Sequence, residues 1–297
     1  MEPILLIRNS KSGLVQREQE IQNGINYLTQ KGFEVIVLTI EDVVSIELFR
    51  KRIEQYKPTT LVAVGGDGTV NLLSQYLVNT NLRLSVIPAG TFNHFAKHIG
   101  IGTDMDEAFK TIINGETIVI DTAQVNGRVF VNFSCVGFYT QLIKKRIEYQ
   151  KKAWKKWSAF VISLYENTVK YSLLYLQISR NEADVKISTP LVFIGNNIFE
   201  FGGADILSAR EDFTSGKLQI SIAPQAGRWG IFHLLFKALF GDIKNKIGFT
   251  TVALDEIEIN SKHINMAVSL DGEIVSLKTP LYYKIQPRSL KVIVPKD

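Results

Sequence analysis

A run of apolar residues, Leu61-Val62-Ala63-Val64, passes without a break into Gly65-Gly66-Asp67-Gly68-Thr69. It continues into a segment carrying Leu72, Leu73, Tyr76 and Leu77 at helical spacing. A strand that ends in glycines and opens straight into a helix is where an α/β sheet binds phosphate. The first N–H groups and the positive end of the helix attract anionic oxygens, and glycines let the backbone come close. Asp67 is out of place for holding phosphate directly, because a carboxylate repels it. Its expected task is to orient a Mg²⁺-bound phosphate, a water or a hydroxyl. The alternative is an ordinary tight turn between strand and helix.

The rest of the first 120 residues repeats the alternation. Residues 4–9 and 33–39 read as strands, and Ile21, Ile25 and Leu28, then Ile46, Phe49, Ile53 and Tyr56, as helices. Gly32 stops the first helix and Pro58 the second. A fourth strand, 84–87, leads into another Pro/Gly turn and helix. The order predicts a parallel sheet covered by helices on both faces. Two more loops would then reach the same sheet edge: Asn9-Ser10-Lys11-Ser12-Gly13 after the first strand, and Pro88-Ala89-Gly90-Thr91-Phe92-Asn93 after the fourth. Lys11, the hydroxyls of Ser10, Ser12 and Thr91, and the Asn93 amide are natural partners for phosphate or ribose. Three converging strand ends make a binding site a better expectation than any one loop does.

After about residue 120 the pattern changes. Asn126-Gly127 between two apolar runs is a hairpin signal. Alternating segments follow at 173–178, 191–194, 217–222, 252–259, 264–270 and 290–294, and turn residues separate most of them. The predicted fold class is therefore α/β plus all-β: a Rossmann-like domain over 1–121, then an antiparallel β-sandwich domain over 122–287, with a cleft between them. The last strand, near 288–297, is expected to return to the first domain.

The chain has a net charge of +5 and one cysteine, Cys135. A single Cys excludes an internal disulfide framework and a Cys-based zinc site. No run of 18 uncharged apolar residues occurs, so no spanning helix is expected. Without a recognisable secretory signal, a cytoplasmic location is the expectation. The charge is concentrated: 144–156 holds seven Lys or Arg against Glu148, a net +6, which leaves −1 for the remainder. If 141–165 is helical, Ile143, Ile147, Trp154, Trp157, Val161 and Leu164 share a face beside the lysines. Such a helix either docks transiently on an anionic membrane or packs its tryptophans and leaves the lysines solvated. The apolar run 229–240 is open to the same two readings. No nucleic-acid recognition fold accompanies the basic cluster, so nucleic acid is not an expected partner. His94 and His98, four apart, lack a third zinc ligand and read as helix-surface histidines.

The loop Gly-Gly-Asp-Gly-Thr-Val-Asn at 65–71, with Pro-Ala-Gly-Thr-Phe-Asn at 88–93, resembles the diacylglycerol kinase catalytic domain family. So do Ile120-Asp121, Asn132-Phe133 with Gly137-Phe138, 194–197, Gly202-Gly203, Asp271-Gly272-Glu273 and 290–295. The resemblance implies an ATP- and Mg²⁺-dependent lipid kinase, cytoplasmic and peripherally membrane-associated, and it leaves a homodimer open. By the same resemblance the nucleotide would be held by Asn9, Ser10, Lys11, Ser12, Gly13, Thr39, Gly65, Gly66, Asp67, Gly68, Thr69, Val70, Asn71, Gly90, Thr91 and Asn93. Glu273 would be the general base, with Asp67, Asp121 and Asp271 in the same polar network.

Two departures stand out. His94 replaces an acidic residue after Asn93. Ser215 replaces the Asp that helps hold a structural Mg²⁺ in bacterial members, which leaves the region of Asp212, Ser215 and Lys217 as a poor metal site. An NAD kinase-like enzyme acting on a soluble substrate, and a nucleotide- or lipid-binding protein impaired in turnover, remain the alternatives.

Overall fold

The structure is a computed structural model. It describes residues 2–9, 17–91, 93–137, 140, 173–180, 183–197, 199–200, 209–210, 213–224 and 249–296. The chain divides into two compact units, Met1–Thr122 with Pro287–Asp297, and Ala123–Gln286.

In the first unit, the strands β1 (Pro3–Arg8), β2 (Glu34–Thr39), β3 (Thr60–Gly65) and β4 (Arg83–Pro88) alternate with helices α1 (Glu18–Gln30), α2 (Ile46–Tyr56) and α3 (Asp67–Leu77). Helices α4 (His94–His98) and α5 (Met105–Asn114) and strand β5 (Glu116–Val125) follow. The sheet order is β2-β1-β3-β4, and every pairing is parallel. All of β3 is buried, which matches its unbroken apolar sequence. Right-handed crossovers put α1 on one face and α2 and α3 on the other. Contacts agree: the rings of Phe49 (α2) and Tyr76 (α3) stack at 4.5 Å. Phe109 of α5 lies where a Cβ on Gly24 of α1 would stand, 2.1 Å away, so the two helices meet at that glycine.

The second unit is antiparallel. Its strands among the described residues are β6 (Arg128–Phe130), β7 (Phe133–Gly137), β8 (Leu174–Arg180), β9 (Ala183–Thr189), β10 (Leu191–Asn196), β11 (Phe199–Glu200), β12 (Ala209–Arg210), β13 (Leu218–Ile222), β14 (Thr250–Leu254), β15 (Glu256–Ser261), β16 (Asn265–Leu270), β17 (Glu273–Lys278) and β18 (Leu281–Val294). One sheet runs β14-β13-β10-β7-β16-β17; in the other, β15 pairs with β8 and with residues 281–284 of β18, and β8 pairs with β9. One core joins both sheets, through Val136, Val192, Ile220 and Val268 from the first and Leu176, Ile259, Leu281 and Tyr283 from the second. That shared core makes the unit a sandwich, and the α/β plus antiparallel β class expected from the sequence is the one observed. The end of β18 belongs to the first unit, where Lys291 and Val292 pair in parallel with Arg83 and Leu84 of β4.

Cys135 is buried beside Phe133 and Phe193, and burial pushes its thiol well above the ordinary cysteine range, which leaves it inert. Among the described residues no helix is long and apolar enough to cross a membrane. The basic segment 141–165, the apolar run 229–240, Gly202-Gly203, Asp212 and Ser10 to Gly13 lie outside the described residues.

Candidate active site

Strand order β2-β1-β3 means that the chain leaves β1 towards one side of the sheet and β3 towards the other. The crevice beyond their carboxyl ends is the place where such sheets bind ligands. The Asn9 N–H donates to the Val64 carbonyl there, at 3.2 Å. Beside it, the turns after β3 and β4 touch backbone to backbone. A Cβ on Gly90 would stand 2.4 Å from the Gly66 Cα and 2.8 Å from Asn93 Oδ1. One on Gly66 would stand 3.1 Å from the Gly90 Cα. The Ala89 N–H extends this contact by donating to the Gly65 carbonyl at 2.9 Å. At Gly65, a Cβ would meet Thr69 Oγ1 at 2.3 Å. Gly66 and Gly90 are therefore set by loop-on-loop packing and Gly65 by Thr69 of α3, and no side chain caps the start of α3.

Asp67 and Asn93 lock this arrangement. The Asp67 carboxylate accepts the N–H groups of His94 (3.2 Å) and Phe95 (3.0 Å) at the start of α4. Asn93 holds the N-cap position of α4 at φ 52° but does not cap it. Its amide instead accepts from the Gly90 N–H at 2.9 Å and donates to the Gly90 carbonyl at 3.1 Å. Asp67 thus supplies from α3 the cap that Asn93 gives up to its own loop. Asp67→Ala is expected to remove about 1–2 kcal/mol of stability. That corresponds to a fall of roughly 2–8 °C in a thermal melt; an unchanged melt would show that the clamp contributes nothing.

Four of the other residues expected at the nucleotide are described at these positions. Val70 and Asn71 are buried on α3, with Asn71 Oδ1 accepting from Gln75 at 3.1 Å. Thr91 is exposed on the second loop. Thr39, at the end of β2, forms a capping box with Asp42: its N–H and hydroxyl both donate to Asp42 Oδ2 at 2.9 Å. These bonds hold the Asp42 carboxyl below its usual range. His94 and His98 face each other at 6.5 Å, and no group of three or more His, Cys, Asp or Glu able to hold a metal occurs among the described residues. Arg17, not among the residues expected at the site, precedes α1 and donates to the Pro88 and Thr103 carbonyls at 3.3 Å while pairing with Glu20. In the sequence it is only a lone cation before a helix.

The other three carboxylates behave differently from one another. Asp121 is fully buried in the first unit and accepts the Arg288 N–H at 2.8 Å. Next to it, the Thr122 N–H donates to the Ser289 hydroxyl at 3.1 Å. Asp121 therefore anchors the returning strand. In the second unit, Asp271 accepts three N–H groups, those of Val131 (2.9 Å), Asn132 (2.8 Å) and Phe133 (3.0 Å). With φ 48° at Asp271 and 89° at Gly272, the two form the tight turn of the β16–β17 hairpin. Glu273 follows that turn. It pairs with Leu270, and Val268↔Val275 and Met266↔Leu277 continue the same row of core-facing residues. Its carboxyl stands at the exposed rim of an apolar face, and desolvation there raises its pKa above the ordinary glutamate value.

The structural Mg²⁺ implied by the resemblance does not fit the described residues near Ser215. The Ser215 hydroxyl donates to Asn197 Oδ1 at 2.6 Å, and the Lys217 ammonium pairs with Asp255.

The parallel sheet and its glycine turns form an α/β domain whose strand-end crevice is where such sheets bind ligands. Residues 3–125 match the diacylglycerol kinase catalytic domain. Over 301 residues, covering 99% of this chain and 96% of the relative, the sequence is 28% identical to a probable YegS-like lipid kinase of Klebsiella pneumoniae. It is 32% identical to the lipid kinase YegS of Escherichia coli K12 over 154 residues, 50% of each chain. A crystal structure of a diacylglycerol kinase from Bacillus anthracis Sterne has the same fold, with a TM-score of 0.72 at 22% identity, over 99% of this chain and 96% of that one. The family match thus covers the part of the chain that carries the glycine contact.

Proposed function

We propose that the protein is an ATP-dependent lipid kinase. It transfers the γ-phosphoryl group of MgATP to the hydroxyl of diacylglycerol, giving phosphatidic acid, or of a related lipid alcohol. The observation that carries this reading is the Gly66–Gly90 contact at the ends of β3 and β4, inside the segment that matches the family domain. Side-chain-free backbone at that edge suits the close approach of a triphosphate. Mg²⁺ arrives with the nucleotide as part of the substrate and neutralises the charge that develops on it.

Glu273 is the general base in this reading. It takes the proton of the acceptor hydroxyl as the new O–P bond forms and the bond from the γ-phosphorus to the bridging oxygen breaks, releasing ADP. Two observations support it over the three aspartates. Asp67, Asp121 and Asp271 all spend their carboxylates on backbone N–H groups, whereas the Glu273 carboxylate has no hydrogen-bond or ion-pair partner among the described residues. Its pKa is also raised, which makes its carboxylate a stronger base than an ordinary one.

An enzyme with a bilayer-borne acceptor must reach the membrane surface, and the net +6 of 144–156 supplies the attraction, about 1 kcal/mol per basic residue near an anionic leaflet. Changing Lys151, Lys152, Lys155 and Lys156 together to Gln is expected to weaken co-sedimentation with anionic vesicles. Unchanged binding would remove the segment from membrane docking. The acceptor itself is tested by extracting lipids from cells that overproduce the protein. One phosphorylated lipid is expected to rise relative to cells producing Glu273→Gln, and no difference between the two extracts would contradict the proposal.

A further inference from the structure

The poor fit of a cation near Ser215 has a positive counterpart in the hydrogen bonds that replace it. Asn197 is fully buried, in the left-handed region at φ 68°. Its Oδ1 accepts the Ser215 hydroxyl at 2.6 Å, and its N–H donates to the Lys217 carbonyl at 3.1 Å. The segment before β13 is thereby tied on both sides to the end of β10. Asn196, also fully buried, carries the tie onward. Its N–H donates to the Asn132 carbonyl at 2.8 Å and its Nδ2 to the Val131 carbonyl at 2.9 Å. The N–H groups of Val131, Asn132 and Phe133 in turn donate to the Asp271 carboxylate, and the Asp271 N–H returns to the Phe133 carbonyl at 2.9 Å. Glu273 is two residues further on.

We infer that Ser215, Asn197 and Asn196 form a cation-free brace for the Asp271-Gly272-Glu273 turn, taking the place of a structural divalent ion. The donor set argues for this chemistry. A hydroxyl and two carboxamides are neutral, and Ser215 spends its proton on Asn197, so the pair is complete without a hard cation, which would call for carboxylate oxygens. Asn196, Asn197 and Asp271 are buried, and a network held inside protein keeps a unique geometry. Ser215 is accordingly a positioning residue, acting on the turn through Asn197. The link from the turn to catalysis rests on the proposed function; the brace itself does not.

The test is therefore a thermal melt of the nucleotide-free protein, read without any assay of transfer. The wild-type midpoint is expected to be the same in EDTA and in millimolar Mg²⁺ or Mn²⁺. Ser215→Ala, which leaves the buried Asn197 Oδ1 without its donor, is expected to lower the midpoint by roughly 2–12 °C, and Ser215→Thr, which keeps the hydroxyl, to restore most of it. A wild-type midpoint that falls in EDTA and recovers with Mg²⁺ would overturn the inference, as would a Ser215→Ala melt identical to wild type. A failure of the lipid-kinase proposal would leave all of these melts unchanged, so the two failures are distinguishable.

Discussion

Glu273→Gln is expected to abolish phosphoryl transfer while the protein stays folded and melts at the same temperature or slightly higher at neutral pH. General-base catalysis contributes roughly 10²- to 10⁴-fold, and a glutamine cannot accept the acceptor proton, so the residual rate should fall within or below that range. The stability half follows from the raised pKa. In the interval between the unfolded value and the raised folded one, the folded protein holds more protons than the unfolded chain. Stability therefore declines as pH rises through that interval, and above it the ionised, partly desolvated carboxylate is a net cost. Glutamine removes the charge and that cost together. For the wild type, the acid limb of the pH–kcat/KM profile should be shifted upward from the ordinary glutamate value. Initial rates and melts measured across pH check both halves, and a Glu273→Gln enzyme within tenfold of wild type would remove Glu273 as the base.

Gly90→Ala is expected to cost both nucleotide binding and stability, and to be more damaging than Gly66→Ala. The asymmetry comes from the geometry of one contact seen from its two sides. A methyl on Gly90 would collide with backbone, the Gly66 Cα at 2.4 Å and Gly66 N at 3.0 Å, and with the Asn93 Oδ1 that closes the loop. A methyl on Gly66 meets the Gly90 Cα at 3.1 Å, a squeeze that a small shift relieves. Overpacking of the first kind costs about 1–3 kcal/mol, and here the strain falls on the turn that would face the triphosphate. In calorimetric titration with MgATP, Gly90→Ala should bind at least tenfold more weakly than wild type, with Gly66→Ala between the two. Wild-type affinity in Gly90→Ala would separate the glycine contact from nucleotide binding.

The sequence carried the fold wherever a local period and a turn residue agreed. Strand β3 and helix α3 are legible because 61–64 is wholly apolar and Leu73 and Leu77 recur at helical spacing. The β5–β6 hairpin is legible because Asn126-Gly127 supplies the two positive φ values, 47° and 78°, that its turn requires. Where one of these signals fails, so does the reading. The expected strand 252–259 is two strands, because the chain changes sheets at Asp255. Leu254 faces the core from β14 and Ile257 from β15, a spacing of three that breaks the period of two. Expected strand 290–294 is the end of a longer one, β18, whose alternation is interrupted near Arg288, at φ 48°. Strand β9 is not expected from the sequence, because Ala-Asp-Val-Lys-Ile-Ser-Thr alternates without a strongly apolar face. One helix is expected after β4 and two are present; the second, α5, opens where the Asp104 side chain accepts the N–H groups of Asp106 and Glu107.

At the candidate site the residue types were legible and their tasks were not. Asp67, Asp121 and Asp271 look alike in sequence. They differ in the backbone N–H groups their carboxylates accept, and these come from residues 27, 167 and about 140 positions away. Asn93 illustrates the same point, since a residue suited to bind phosphate or ribose is spent on closing its own loop. Long-range hydrogen bonds of this kind leave no local pattern.

The most direct test of the central claim is transfer of label from γ-labelled MgATP by the purified protein. It is offered mixed micelles of diacylglycerol, ceramide or sphingosine in parallel with soluble NAD. The expected result is label in the organic phase with one of these lipids, lost in Glu273→Gln. Label appearing in NAD instead, or ATP binding with no transfer to any lipid, would contradict it.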